Sequence, residues 1–184
     1  LEALIDAIRA DYADPDLRVD IVAHSMGGLI ARYYLRYGTR DVLDGMPSLV
    51  SLHGLARVRK LVLLGTPNFG AISALHGYLV GERIGLRRIP PEVFATMPSG
   101  YQLFPHPLST WLVDAAGEAL PDDLFDPATW RHYEWSVYDS TAVMRLRGGD
   151  VDDDRLAALR RFCLYRVERA RRFAWMLSTP EPAT

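Results

Sequence analysis

The 184-residue sequence predicts an α/β fold in which two parallel strands are joined by a crossover helix, followed by a mainly helical segment. Two apolar runs, residues 19–24 and 58–64, have the length and composition of buried strands, and a helical pattern over residues 26–37 lies between them. A strand–helix–strand unit of this kind pairs its strands in parallel with a right-handed crossover. From Ala71 onward, buried-strand runs give way to helical and irregular segments rich in aromatic residues and proline.

Helices flank the first predicted strand on both sides. The first helix should end near Asp14, because Pro15 disfavours helical geometry at the residue before it. The second helix should run from about Met26 to Tyr37 and end at Gly38, a common C-cap residue. The apolar face of the first helix would consist of residues at helical spacing, namely Leu1, Leu4, Ile5, Ile8 and Tyr12.

The sequence divides into three predicted parts. Residues 1–70 form a partial α/β core, residues 71–178 form a helical cap or lid, and residues 179–184 form a linker toward further chain. Within the cap, only residues 141–146 have a short extended pattern. A long amphipathic helix, from about Asp154 to Leu177, closes the cap. Its predicted inner stripe consists of Leu156, Leu159, Cys163, Val167, Ala170, Ala174 and Leu177.

Composition and charge exclude several classes of function. A net charge of −2 offers no basic surplus for nucleic acid. The single cysteine, Cys163, excludes an internal disulfide, and no cluster has metal-ligand spacing, so no metal or other cofactor is predicted. No apolar run is long enough for a membrane span, and no signal peptide is seen, which slightly favours a cytoplasmic location. The helical start at Leu1 and the proline-rich end predict a fragment cut at both ends.

Ser25 lies where the first strand meets the second helix. A serine at such a turn can point its hydroxyl into a cleft, where a base can activate it as a nucleophile. The usual pattern is small-x-Ser-x-small, found here as Ala23-His24-Ser25-Met26-Gly27 with alanine at the first small position. Because the first amides of a helix have no helical partner, the Met26 N–H is a predicted oxyanion donor. The alternative is that Ser25 only caps the helix.

Three segments carry a family resemblance: VDIVAHSMGGLIARYYLRYG at residues 19–38, VRKLVLLGTPNFGA at 58–71 and MPSGYQLFP at 97–105. Together they resemble the lecithin:cholesterol acyltransferase family, a lipase-like branch of the α/β-hydrolases. A fourth segment, LFDPATWRHYEW at 124–135, is similar to the aromatic cap segment of bacterial relatives. The resemblance implies a partial α/β-hydrolase fold, with a nucleophile elbow at Ser25 and a helical cap.

The same resemblance implies a serine-dependent O-acyltransferase that acts on ester lipids through an acyl-Ser25 intermediate. A lipase or carboxylesterase is the close alternative, and a non-catalytic module or inert fragment is the alternative from another class. The family's aspartate and histidine follow the serine on later strands, so we expect both outside this chain and predict little turnover by the chain alone. The other histidines lie in the crossover or the cap, at His53, His76, His106 and His132.

Substrate and surface contacts are predicted from two further features. Asn68 and Phe69 are candidate substrate-binding residues, because the loop after a parallel strand faces the substrate crevice. The acidic loop at 148–154 is expected to be solvated, with its last aspartate capping the next helix. A basic outer face on the last helix suits either peripheral membrane contact or, preferably, plain solvation. It carries Arg155, Arg160, Arg161, Arg166, Arg169, Arg171 and Arg172.

Overall fold

The computed structural model describes residues 1–44 and 50–179. The chain divides into two compact units. The first unit comprises Leu1–Asn68 with Met176–Thr184, and the second comprises Phe69–Trp175. Apart from its first residue, the predicted C-terminal linker lies outside the described part of the chain.

The first unit contains a strand–helix–strand arrangement. Strands β1 and β2 pair in parallel, with Val19 beside Val58 and His24 beside Leu64. This confirms the predicted parallel pairing, and the connection between the two strands contains a helix, as predicted. The elements in chain order are α1 (Glu2–Asp11), β1 (Val19–His24), α2 (Met26–Tyr37), a 3₁₀ turn (His53–Ala56) and β2 (Val58–Leu64).

The hydrophobic core of this unit is built from α1, α2 and β2. Ile5, Tyr34 and Val58 are buried together. The apolar face predicted for α1 is only partly buried, so this prediction is wrong for residues such as Leu4, which is 61% exposed, and Tyr12, which is 73% exposed. Helical spacing places these residues on one side of the helix, but burial also requires a neighbouring element to cover them.

One face of the two-stranded sheet is exposed. Along β1, and along β2 from Lys60 onward, exposed side chains alternate with half-buried or buried ones, whereas the sequence predicts continuously buried strands. Val22, Val62 and Leu64 remain 68%, 46% and 49% exposed. The difference arises because successive strand side chains point to opposite faces, and within the described residues these three have no layer packed over them.

The second unit is mainly helical, as predicted. Its helices are joined by one hairpin and two 3₁₀ turns, and α7 continues into the residues grouped with the first unit. The elements are α3 (Ile72–Val80), β3 (Glu82–Ile84), β4 (Arg87–Ile89), α4 (Pro91–Phe94), 3₁₀ turns at Gly100–Leu103 and Ser136–Tyr138, α5 (Pro127–His132), α6 (Ser140–Gly148) and α7 (Asp153–Ser178).

Two local structures in this unit differ from the sequence-based expectation. The antiparallel hairpin of β3 and β4 was not predicted, although Gly85 has the positive φ of 61° that a type II′ turn needs at its first loop position. Residues 141–146, expected to be extended, lie within α6. The Asp139 side chain accepts a hydrogen bond from the Ala142 amide (2.8 Å), and this cap starts a helix despite the β-branched residues that follow.

Helix α7 confirms the predicted long amphipathic helix and its inner stripe, whose members are buried or half-buried. The capping aspartate differs from the predicted one. Asp152 accepts a hydrogen bond from the Arg155 amide (2.8 Å), whereas Asp154 lies inside the helix. The cap therefore begins the helix one residue earlier than its apolar periodicity suggests.

Aromatic residues form the core of the second unit. Tyr101, Phe104 and Trp130 are each at most 3% exposed, and the rings of Phe104 and Trp130 stack with centroids 6.0 Å apart. The Trp130 indole donates a hydrogen bond to the Leu124 carbonyl (2.6 Å), so its polar atom is satisfied despite burial. Two residues of the MPSGYQLFP segment, Tyr101 and Phe104, thus serve packing in the described structure.

An ion pair between a buried carboxylate and an exposed arginine joins α4 to α6. Glu92 is 7% exposed and accepts two hydrogen bonds from Arg145, at 2.6 and 2.9 Å. Burial alone would raise the pKa of Glu92, but the hydrogen bonds from Arg145 and from backbone outweigh it and bring the pKa below its ordinary value of 4.5. A carboxyl with a lowered pKa stabilises the fold above its unfolded-state pKa, and this contribution is lost as pH falls.

We expect Arg145→Gln to destabilise the protein by about 1–2 kcal/mol at pH 7, because the buried Glu92 carboxylate would lose two charge-assisted hydrogen bonds, while the exposed position of Arg145 already screens the pair with water. The penalty should shrink near pH 4, where the isolated carboxyl is protonated. Urea unfolding at both pH values measures this difference. Arg147→Gln is the matched control on the same helix, since the Arg147–Asp153 pair is exposed and worth at most about 1 kcal/mol. Equal destabilisation by Arg145→Gln at both pH values would contradict the prediction.

Candidate functional site

Ser25 occupies the single residue between β1 and α2. The strand ends at His24 and the helix begins at Met26. Ser25 has φ 52° and ψ −130°, a combination that a non-glycine residue rarely adopts. Its side chain is exposed and makes no hydrogen bond to the helix amides, so Ser25 does not act as an N-cap side chain. The hydroxyl is thus available to a ligand.

Backbone hydrogen bonds hold this turn in its strained form. The Ser25 amide donates to the Leu64 carbonyl (2.9 Å), and the Ser25 carbonyl accepts from the Gly28 amide (3.1 Å). Such strain costs about 1–3 kcal/mol, so the surrounding contacts must over-determine the conformation. A Cβ placed on Gly27 would lie 4.0 Å from the Ala23 Cβ, an ordinary contact. Alanine at the first small position of the motif therefore fits.

The Met26 amide begins α2 directly after Ser25. Within the described residues this N–H donates to no protein acceptor, as expected for the first residue of a helix. The helix dipole adds partial positive charge at the same end. An oxygen that becomes negative beside Ser25 would therefore meet an unpaired donor, which is the requirement for an oxyanion hole.

The loop after β2 packs along the start of α2. Thr66 lies so close to Gly28 that a Cβ at that glycine would come 1.9 Å from the Thr66 Oγ1. One helical turn further, the Asn68 side-chain carbonyl accepts a hydrogen bond from Arg32 (2.8 Å), which also donates to the Leu177 carbonyl (2.8 Å). The loop is thus held at two successive turns of the helix that Ser25 begins.

Asn68 keeps part of its hydrogen-bonding capacity. Its carbonyl oxygen is bound by Arg32, but its side-chain NH₂ donates to no acceptor in the described residues. Asn68 is exposed, so this amide is accessible to a ligand. The predicted substrate role of Asn68 rests on that donor and on its place after the carboxyl end of β2.

Phe69 is grouped with the second unit. Its ring is 58% exposed and packs against His106 with ring centroids 5.1 Å apart, and its carbonyl accepts from the His106 amide (3.0 Å). An exposed aromatic edge can contact an acyl chain, but within this unit the same ring also covers His106. Its predicted role in substrate binding stays a prediction.

Two histidines lie in the first unit. The His24 side chain is exposed and makes no hydrogen bond among the described residues. His53 binds Glu2 at 3.2 Å and lies against Gly38, the residue that ends α2. Because α2 has 12 residues and is about 18 Å long, His53 is at the far end of the helix from Ser25. The His53–Glu2 pair therefore cannot act as the base for Ser25.

The histidines of the second unit have structural or solvent-facing positions. His106 is 1% exposed, and its Nδ1 accepts a hydrogen bond from the Leu108 amide (3.1 Å). Burial lowers its pKa, and a hydrogen bond with the Ala174 backbone opposes that shift only in part. His106 is accordingly a neutral core residue, while His76 and His132 are exposed.

The search for metal-binding groups and membrane spans covers the described ranges. In residues 1–44 and 50–179, no group of three or more histidine, cysteine, aspartate or glutamate side chains could hold a metal ion. No helix in these ranges is long and apolar enough to cross a membrane. The buried Cys163 is the one cysteine of the sequence, and burial raises the pKa of its thiol, which disfavours the reactive thiolate.

Comparison with protein-family models places a lipase-like region at the start of the chain. Residues 4–83 match the model described as class 2 lipase. The match includes both strands, Ser25, Met26, Asn68 and Phe69, and it ends within β3. It makes this region similar to a lipase, without separating the lecithin:cholesterol acyltransferase branch from other lipases. A search of curated proteins and a search of solved structures give no significant match.

Proposed function

We propose that this chain supplies the nucleophile of a lipid-ester hydrolase that works through an acyl-Ser25 intermediate. The observation that carries the proposal is the Ser25 turn: an exposed hydroxyl without a capping bond, on a strained backbone, next to the unpaired Met26 amide. A structural serine at a helix start would bond its hydroxyl to the helix amides. A strained backbone together with a hydroxyl that has no hydrogen-bond partner is instead typical of functional sites.

In the first half-reaction, the Ser25 Oγ attacks the carbonyl carbon of an ester while a base takes the hydroxyl proton. The carbonyl oxygen becomes negative and accepts a hydrogen bond from the Met26 N–H. Collapse of this tetrahedral intermediate breaks the bond to the alcohol oxygen, and the protonated base returns its proton to that oxygen. His53 lies at the far end of α2 and His106 is buried, and the family resemblance implies that the base and its orienting acid come from later strands, so the proposal assigns both to residues outside this chain.

In the second half-reaction, an acceptor attacks the acyl-Ser25 carbonyl and releases the serine. With water as acceptor the product is a carboxylic acid, and with an alcohol it is a new ester. The match to class 2 lipases favours water. The O-acyltransferase alternative is supported by the MPSGYQLFP segment, whose residues Tyr101 and Phe104 form core in the described structure. Because these two residues are packed in the core, they offer no contact that would favour an alcohol over water as the acyl acceptor. Hydrolysis is therefore the primary proposal.

The substrate would be an ester with an apolar acyl group. The side-chain NH₂ of Asn68 would donate a hydrogen bond to the bound ester, and the exposed ring of Phe69 would contact its acyl chain. Both residues follow the carboxyl end of β2, where open α/β sheets bind their ligands. No cofactor is required, since the nucleophile, oxyanion donors and base are all protein groups.

A fluorophosphonate ester probe tests the proposal on the whole protein. We expect one covalent adduct, mapped by mass spectrometry to the peptide that contains Ser25, and no adduct in Ser25→Ala. Ser51, another exposed serine of the same unit, provides the matched variant Ser51→Ala, which should label normally. An unlabelled wild type, or labelling that survives Ser25→Ala, would instead favour the non-catalytic module.

The acceptor is tested by product analysis. With a long-chain ester as donor and a lipid alcohol present in excess, we expect free carboxylic acid as the main product. A new ester as the main product would replace hydrolysis by the O-acyltransferase alternative while leaving the acyl-Ser25 intermediate in place. The probe thus tests acylation of Ser25, and product analysis tests the identity of the acceptor.

A further inference from the structure

The hairpin of β3 and β4 presents an apolar tip. Leu86 occupies the second position of its two-residue loop and is 96% exposed, more than any other large apolar side chain in the described residues. The preceding Gly85 has a φ of 61°, as a type II′ turn requires. A defined tight turn thus holds a leucine almost fully in solvent.

Positive charge is concentrated beside this tip. Arg83 and Arg88 face each other across the two strands, and Arg87 follows directly after Leu86. Like charges placed directly opposite each other destabilise an antiparallel pair. Glu82 is the one carboxylate within the hairpin, so residues 82–89 carry a net charge of +2.

The three arginines have few partners within the protein. Arg83 donates to the Gly85 carbonyl (3.3 Å), and Arg88 donates to the Val80 carbonyl (2.9 Å). None of the three forms an ion pair with a carboxylate in the described residues. An external anion would supply the missing counter-charge and relieve the repulsion between Arg83 and Arg88.

We propose that this hairpin docks the protein onto an anionic lipid surface. Leu86 enters the boundary between the headgroups and the acyl chains, and the arginines bind the lipid phosphates. Apolar residues flanked by basic ones are the combination that binds such interfaces, through buried apolar area and attraction to anionic lipids. Arginine also extends an apolar stem, so its charged group can stay among the headgroups while the stem lies deeper.

Charge and composition favour a lipid surface over nucleic acid. The chain has a net charge of −2, and the hairpin has no aromatic ring on which a base could stack. A protruding leucine contributes little to the binding of a phosphate backbone, whereas an acyl layer removes it from water. The tip therefore fits a partner that is both anionic and apolar.

The arginines of α7 are weaker candidates for the same role, because most of them already contact protein groups. The described contacts are those of Arg155 with Asp152, Arg160 with Tyr138, Arg166 with Phe162, Arg169 with Tyr165, Arg171 with Asp123 and Arg172 with Glu168. Peripheral membrane contact, the less favoured of the two alternatives for this helix, is therefore assigned to the hairpin.

Sedimentation with phospholipid vesicles tests the proposal. The experiment uses the Ser25→Ala background, so that lipid is not consumed and the result does not depend on chemistry at Ser25. We expect binding to phosphatidylglycerol vesicles, little binding to phosphatidylcholine vesicles, and weaker binding in high salt. Arg83→Gln/Arg87→Gln/Arg88→Gln should weaken the apparent affinity about 100-fold, at roughly fivefold per arginine. Leu86→Asn should weaken it about tenfold.

Matched variants show whether binding depends on this hairpin or on any exposed arginine or leucine of the protein. Arg131→Gln/Arg155→Gln/Arg161→Gln removes three exposed arginines elsewhere in the second unit, and Leu108→Asn changes another exposed leucine. Each should weaken binding less than about threefold, with circular dichroism confirming that all variants fold. Absence of binding to phosphatidylglycerol vesicles, or equal losses in these matched variants, overturns the proposal. So does heparin binding that requires the three hairpin arginines while vesicles do not bind.

Discussion

Ser25→Ala is expected to lower kcat/KM for ester hydrolysis by at least about 10⁴-fold, because removing the sole nucleophile of a serine hydrolase leaves only binding and oxyanion stabilisation. Folding should be nearly unchanged. The Ser25 side chain makes no cap hydrogen bond whose loss would cost stability, and alanine keeps the same backbone strain. Initial rates of the whole protein on a soluble ester, together with its urea unfolding, measure both effects. Retention of activity within tenfold of wild type would refute the assignment.

Ser25→Gly provides a second test, because it removes the backbone strain at residue 25 as well as the hydroxyl group. Glycine adopts a φ of 52° without steric cost, so this variant should be about 1 kcal/mol more stable than Ser25→Ala while being equally inactive. If Ser25 instead served as a helix cap, Ser25→Ala would lose about 1 kcal/mol relative to wild type. The unfolding free energies of the three proteins therefore distinguish a functional turn from a structural one.

The part of the fold nearest Ser25 could be predicted from sequence because its signals are local. The apolar runs at 19–24 and 58–64 gave the bounds of both strands, and Gly38 marked the end of α2. Each signal depends on a few adjacent residues whose preferences agree with the final structure. The turn at Ser25 was predictable for the same reason, since small residues flank it on both sides.

Burial and capping were less predictable because they depend on partners distant in the sequence. Leu4 and Tyr12 match the helical period of α1, but whether they are buried depends on what lies over that side of the helix. In α6, one hydrogen bond to Asp139 decided between helix and extended chain. The strands of the hairpin have three residues each, which is too short for an alternating pattern to be recognised.

The contacts that hold the candidate site in place could likewise not be predicted from the sequence. Asn68 is held by Arg32, which is 36 residues away, and Thr66 packs on Gly28. The motif pattern asks for small residues around Ser25, but it does not say what occupies the space that they leave. In the structure, Thr66 of the loop after β2 lies against Gly28, and the same loop continues to Asn68, a predicted substrate residue.

Gly28→Ala is therefore expected to damage both stability and activity. Its added Cβ would lie 1.9 Å from the Thr66 Oγ1 and less than 3 Å from two further Thr66 atoms. Overpacking of this kind costs about 1–3 kcal/mol. If the clash moves the loop by about 1 Å relative to Ser25, ester turnover should fall by about 100-fold. Gly27→Ala is the matched control, because its Cβ would meet only Ala23 at 4.0 Å.

A second substitution tests whether the clash with Thr66 is the cause. Thr66→Gly removes every Thr66 atom that the new methyl group would contact, so Gly28→Ala/Thr66→Gly should regain activity relative to Gly28→Ala alone. The coupling energy from this double-mutant cycle should be favourable by about 1 kcal/mol or more. If the effects of the two substitutions simply add, the loop does not act through Gly28, and the proposed connection between Ser25 and Asn68 loses its structural basis.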